Sequence, residues 1–201
     1  MPNILLTLID RLCGAIVSLP LVLIYAFVWD RERAKRRWGW MALLVLYLNA
    51  MYIVVGVPGI QYIDWDPAIN GIPFQDFSLS NLMGMVLNIV MFVPLGFLLP
   101  ACFERYRTWG RTLAAGFLTS LTVELIQLFT FRATDVDDLI MNTLGTILGY
   151  LLAKLILRRR TAVYRGKRDW LELLIVNAIV LLVIVFVRYP LMEGILGLLR
   201  I

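Results

Sequence analysis

The sequence predicts an all-α fold, a polytopic transmembrane helix bundle of about six spans with both termini outside, and three observations predict it. The 201 residues are 61% hydrophobic and 16% charged, with a mean hydropathy of +0.82, against roughly a half and a quarter in soluble domains. Six apolar stretches approach the ~20 residues that a helix needs to cross ~30 Å of hydrocarbon: 12–29, 38–60, 80–103, 112–131, 138–157 and 171–188. The connections between them alternate in charge. Segments 30–37, 104–111 and 158–169 hold fourteen Lys/Arg against four acids, whereas 61–80 and 132–138 hold six Asp against Arg132. The positive-inside rule places the first set in the cytoplasm and the second outside.

Taken in order, the first span carries Pro20 and follows a short segment, with Asp10 and Arg11, expected at the outer interface. The basic cluster comes after the apolar run, without a small-residue cleavage pattern, so this span reads as an uncleaved anchor. The second span follows the basic segment DRERAKRR (30–37). The third has no charge from Phe77 to Phe103, and Pro94 reads as an internal break of the kind membrane helices tolerate. The fourth and fifth are joined by a short acidic connection. The sixth is the shortest, because Glu172 and Arg188 bracket only fifteen uncharged residues. Pro190 is expected to stop that helix, leaving 191–201 along the interface.

Composition also excludes chemistry. With no His in the chain, imidazole acid–base catalysis, the usual zinc sites and Ser-His or Cys-His nucleophile pairs are ruled out. Cys13 and Cys102 lie in separate apolar stretches and read as packing residues. The basic residues are divided among three short connections, which fits contact with anionic lipid headgroups and not nucleic acid. No linker or repeat stands out, so residues 1–201 read as one membrane domain, and no cofactor is implied.

Polar side chains in hydrocarbon are costly unless paired, which makes the intramembrane ones informative. Asn81, Gly84, Asn88, Phe92 and Gly96 fall at steps of three or four on one face of the third span. Glu124 and Gln127 are co-facial on the fourth, with Ser120 one turn before. Asp135, Asp138, Asn142, Gly145 and Gly149 form one stripe on the fifth, while Asp137 points elsewhere. Counting ~1.5 Å per residue, these groups all lie within roughly 10–12 Å of the outer surface. They predict a polar pocket open to the outer leaflet, with Arg132 at its rim. Asn and Gln bonds and the Gly145/Gly149 spacing also serve as helix-packing devices, and Asp138 suits a helix N-terminus. Pro94 frees a carbonyl near residue 90, which could line the pocket or kink the helix. The outer loop 61–80 mixes Tyr62, Trp65, Phe74 and Phe77 with Asp64, Asp66 and Asp76, as an interfacial aromatic belt or as a lid over the pocket.

NIVMFVPLG (88–96), ELIQ (124–127) and RATDVDDLIMNTLG (132–145) together resemble the VanZ-like family, known for teicoplanin resistance. The resemblance covers about 70 residues of 80–157, through Asn88, Phe92, Pro94, Gly96, Glu124, Gln127, Arg132, Asp135, Asp138, Asn142 and Gly145. It implies a multi-pass protein of the bacterial cytoplasmic membrane that lowers susceptibility to glycopeptides, and it implies no established chemical mechanism.

Two functional readings follow. In the first, the pocket binds an anionic lipid-linked envelope ligand, such as a peptidoglycan precursor, a polyprenyl phosphate or the lipoglycopeptide itself. Arg132 would engage phosphate or carboxylate. Asn88, Gln127 and Asn142 would hydrogen-bond the headgroup, with Glu124 and Asp138 orienting Arg132 or holding sugar hydroxyls and Asp135 among the binding residues. In the second, Glu124 and Asp138 act as an acid/base pair on such a lipid, with Asp135 and Asp138 able to hold Mg²⁺ through oxygen ligands. A transporter would need polar groups along the full depth, and the cytoplasmic halves of spans three to five offer only Lys154.

Overall fold

The computed structural model describes residues 4–65, 69–75, 78–129, 134–157 and 168–199. Among these the chain forms helices α1 (Ile4–Trp29), α2 (Arg31–Val54), α3 (Leu79–Cys102), α4 (Trp109–Gln127), α5 (Val136–Ile156), α6 (Asp169–Phe186) and α7 (Arg188–Leu199). All but α4 and α7 are long and apolar enough to cross a membrane. The fold is all-α, with one small addition. Strands β1 (Ile69–Asn70) and β2 (Thr134–Asp135) pair in parallel, Ile69 opposite Thr134 and Asn70 opposite Asp135.

Several boundaries differ from the sequence expectation for identifiable reasons. The basic segment 30–37 is helical from Arg31, and Asp30 alone separates α1 from α2. Its backbone still joins the ladder, donating to Ala26 O at 3.0 Å and accepting from Ala34 N at 2.8 Å. Arg, Lys and Glu are good helix formers, so the charges mark a side of the membrane without ending a helix. At its other end α2 stops at Val54 although the apolar run continues to residue 60. Gly56 there adopts φ 84°. Its N–H reaches Ile53 O at 3.2 Å while Val57 N–H reaches Tyr52 O at 2.9 Å, the paired bonds of a left-handed glycine cap. Gly56→Ala should therefore lower stability by about 1 kcal/mol. Gly39→Ala, inside α2 with open space around the added methyl, should raise it by roughly 0.5–1 kcal/mol. Thermal unfolding of the two variants in detergent reads both signs.

Pro20, Pro94 and Pro100 lie inside continuous helices. Pro190 does not stop a helix: α6 ends at Phe186, and Pro190 occupies the first turn of α7, where a missing N–H costs little.

The chain divides into two compact units, Met1–Ile63 with Trp170–Ile201, and Asp64–Asp169. In the first, α1 meets α2 at Gly14, Ser18 and Asn49. Asn49 Nδ2 donates to Ser18 Oγ and to Val45 O, both at 2.8 Å. Arg37 of α2 pairs with Glu172 of α6, both nearly inaccessible, and Tyr52 donates to Asn177 Oδ1 at 2.8 Å. Thus the residue expected to bound the sixth span, Glu172, is a partner of a residue expected in a loop.

In the second unit α3 and α5 run parallel in close contact. A methyl on Gly96 would overlap the Thr146 carbonyl, one on Gly145 the Ile89 carbonyl, and one on Gly149 the Val93 carbonyl. Small residues here let two backbones touch, as membrane helix pairs require. α4 runs antiparallel to α5, with Gly116 against the Thr146 side chain. Although α4 contains no stretch apolar enough to count as a candidate span, its hydroxyls find partners. Thr119 and Thr122 donate to Ala115 O and Leu118 O at 2.9 and 2.8 Å.

Candidate functional site

Because α3 and α5 are parallel, their N-termini open on the same side. Ser78 caps α3, its Oγ accepting from Asn81 N at 3.2 Å. Asp135 caps α5, its Oδ1 accepting from Asp137 N at 2.9 Å. Between the two ends lies a cleft of about 170 Å³, walled by Asn70, Asn81, Gly84, Asp135, Asp137 and Asp138. The positive ends of two helix dipoles offset the charge of the carboxylates gathered there.

Below the opening, Asn88 Nδ2 donates to Asp138 Oδ1, joining α3 to α5 through the stripes read from the sequence. Glu124, 3% exposed, ties α4 to the same place. Its Oε2 accepts from Asp135 N at 3.1 Å and its carbonyl from Thr134 Oγ1 at 3.0 Å. Deeper still, Asn142 Nδ2 donates to Ser120 Oγ at 2.9 Å. Among the described residues, Glu124 Oε1 and Asn142 Oδ1 are buried without a hydrogen-bond partner. Buried acceptors left unsatisfied cost roughly 1–3 kcal/mol each, and such groups mark places that take a donor.

The outer loop folds onto this end of the unit. Asp64 N donates to Phe129 O at 3.2 Å, and Trp65 packs on Phe129 with centroids 5.0 Å apart. Asn70 Nδ2 reaches Asp135 Oδ2 at 3.2 Å. Phe74, held at φ 57°, donates its N–H to both oxygens of Asp137 at 3.0 and 3.1 Å. Asp66, Asp76 and Phe77 lie outside the described residues.

The structure thus brings together Asn88, Glu124, Asp135, Asp138 and Asn142. Gln127 is buried in the last turn of α4 and does not wall the cleft. Arg132 lies outside the described residues, and among the described residues that wall the cleft there is no Lys or Arg. Phe92, Gly96, Gly145 and Gly149 form the α3–α5 seam, while Pro94 sits within α3.

Asp137 corrects the sequence reading. Set aside because its helical angle leaves the Asp135–Asp138–Asn142 stripe, it walls the cleft and anchors the loop. Its place in the first turn was the available signal, since side chains there gather around the helix opening whatever face they share lower down. Asn70 had no such signal. Asp135 uses both oxygens on Asp137 N and Asn70, Asp138 uses Oδ1 on Asn88, and no described group of three acidic or sulfur/nitrogen ligands is disposed to hold a metal.

Comparison with known proteins gives a consistent picture. The chain is 36% identical over 86 residues to a protein of Enterococcus faecium named "Protein VanZ", an alignment covering 42% of this chain and 52% of that protein. It therefore spans about half the length of that relative. No solved structure matches the chain. The family model described as VanZ/LLP1 matches residues 19–158, so it takes in the C-terminal part of α1, all of α2 and the outer loop as well as the three helices that build the cleft. This membrane protein belongs to the VanZ/LLP1 family.

Proposed function

We propose that the protein resides in the bacterial cytoplasmic membrane with six crossings and both termini outside. There it lowers susceptibility to glycopeptide antibiotics by holding the headgroup of a lipid-linked envelope precursor in its outer cleft. One observation carries this reading: carboxylate and amide groups from three helices and a folded loop converge on an opening formed by two parallel helix N-termini. Such a site is rich in acceptors. It suits a ligand rich in donors, the sugar hydroxyls and peptide amides of a precursor or the amines of a lipoglycopeptide. A bare phosphate would meet three Asp side chains, so the role of engaging the anionic part falls to Arg132.

Expression in a teicoplanin-susceptible host tests this. The wild-type chain should raise the inhibitory concentration. Asp138→Ala and Asn88→Leu, produced at equal membrane levels, should return it to within twofold of the empty vector, and Arg132→Ala should weaken protection. Undiminished protection by all three would refute the cleft as the acting site.

A further inference from the structure

The end of the second unit remote from the acidic cleft carries features that the outer site leaves unused. Two adjoining clefts meet at Tyr150 and Lys154, near the C-terminus of α5. One, of about 360 Å³, runs between α4 and α5 with Leu113, Ile147 and Leu151 along its walls and Trp109 at its end. The other, of about 180 Å³, is bounded by Pro100, Arg107, Ala153 and Leu157. Tyr150 bridges them, its hydroxyl donating to Arg107 O at 2.9 Å.

We propose that this paired cleft is a binding site for an anionic phospholipid, whose phosphate lies between Lys154 and Arg107 and whose acyl chain fills the α4–α5 groove. The groove is apolar where a chain would lie and cationic where a headgroup would lie, a charge pattern that selects an anionic lipid over a neutral one. Trp109, 68% exposed, is placed as an interfacial aromatic at the same level. Among the described residues Lys154 meets no carboxylate, so its ammonium is available to a ligand. The sequence adds Arg158, Arg159 and Arg160 directly after this end of α5, on the side that the charge distribution assigns to the cytoplasm. A lysine that merely reaches to the interface along its stem would show no lipid preference, which separates the two readings.

The test is native mass spectrometry of the purified full-length protein offered equimolar phosphatidylglycerol and phosphatidylcholine. Wild type should retain phosphatidylglycerol in clear excess, Lys154→Gln should lower that preference about fivefold, and Arg107→Gln with Lys154→Gln should abolish it. Lys154→Arg should keep it. Leu113→Trp, which fills the groove and leaves both charges in place, should lower retention of phosphatidylglycerol without altering charge. Equal retention of the two lipids by wild type, or an unchanged preference in both the double variant and Leu113→Trp, would overturn the proposal. So would displacement of the lipid by millimolar inorganic phosphate, because the groove would then contribute nothing.

Discussion

Gly149→Ala should destabilise the protein by about 3 kcal/mol or more and abolish any activity of the outer cleft. The added methyl meets the Val93 carbonyl oxygen and lies 2.9 Å from Phe97 N, both backbone atoms of a helix that cannot rotate them away. Relief requires α3 and α5 to separate. That separation also breaks the Asn88–Asp138 bond at the cleft floor. Gly84 supplies the contrast. It lies on the same face of α3 and walls the cleft, yet a methyl there meets nothing within 4 Å. Gly84→Ala, like Gly39→Ala, should melt at or slightly above the wild-type temperature, so a loss of protection in that variant would report on the cleft and not on folding. Thermal unfolding in detergent decides the matter: a Gly149→Ala protein that melts with wild type would mean that the helices are not in backbone contact.

Glu172→Ala should cost about 3–5 kcal/mol, since Arg37 is 6% exposed and Glu172 3% exposed. Removing the carboxylate leaves a guanidinium buried without its counter-charge. The same physics makes the double change Arg37→Met with Glu172→Leu far milder, near neutral, because the desolvation cost of both ions disappears together. Unfolding of both variants should show that order. A Glu172→Ala protein as stable as wild type would place the Arg37 guanidinium in water, contrary to the packing of α2 against α6.

The sequence revealed most where spacing alone fixes position. Asn88 and Asp138 lie on stripes with helical period, and stripes at matching depth on parallel helices must meet. The Gly145 and Gly149 seam follows from the same period, and Asn142 meets Ser120 of antiparallel α4 because the two lie at matching depth. Legibility failed where a tertiary contact decides. Nothing local says that Glu172 would find Arg37, or that Phe74 would be pinned to Asp137 by a turn that the loop forms only against α5. It also failed at boundaries set by caps: Gly56 ends α2 through two bonds that hydropathy does not register, and Pro190 opens a helix that its identity suggested it would close. α4 was read as a span from its length. It holds no stretch apolar enough to count as a candidate span, yet its Thr and Ser hydroxyls find partners within it, on Asn142 or on Tyr106 O.

The central claim is that the outer cleft recognises a headgroup. It is tested most directly by measuring what the full-length protein retains when offered a polyprenyl-diphosphate disaccharide-peptide beside the polyprenyl phosphate alone. Wild type should retain the disaccharide-peptide lipid in at least tenfold preference. Asp138→Ala and Asn88→Leu should lose that preference while melting within a few degrees of wild type. Equal retention of both lipids by wild type, or an unaltered preference in the two variants, would contradict it.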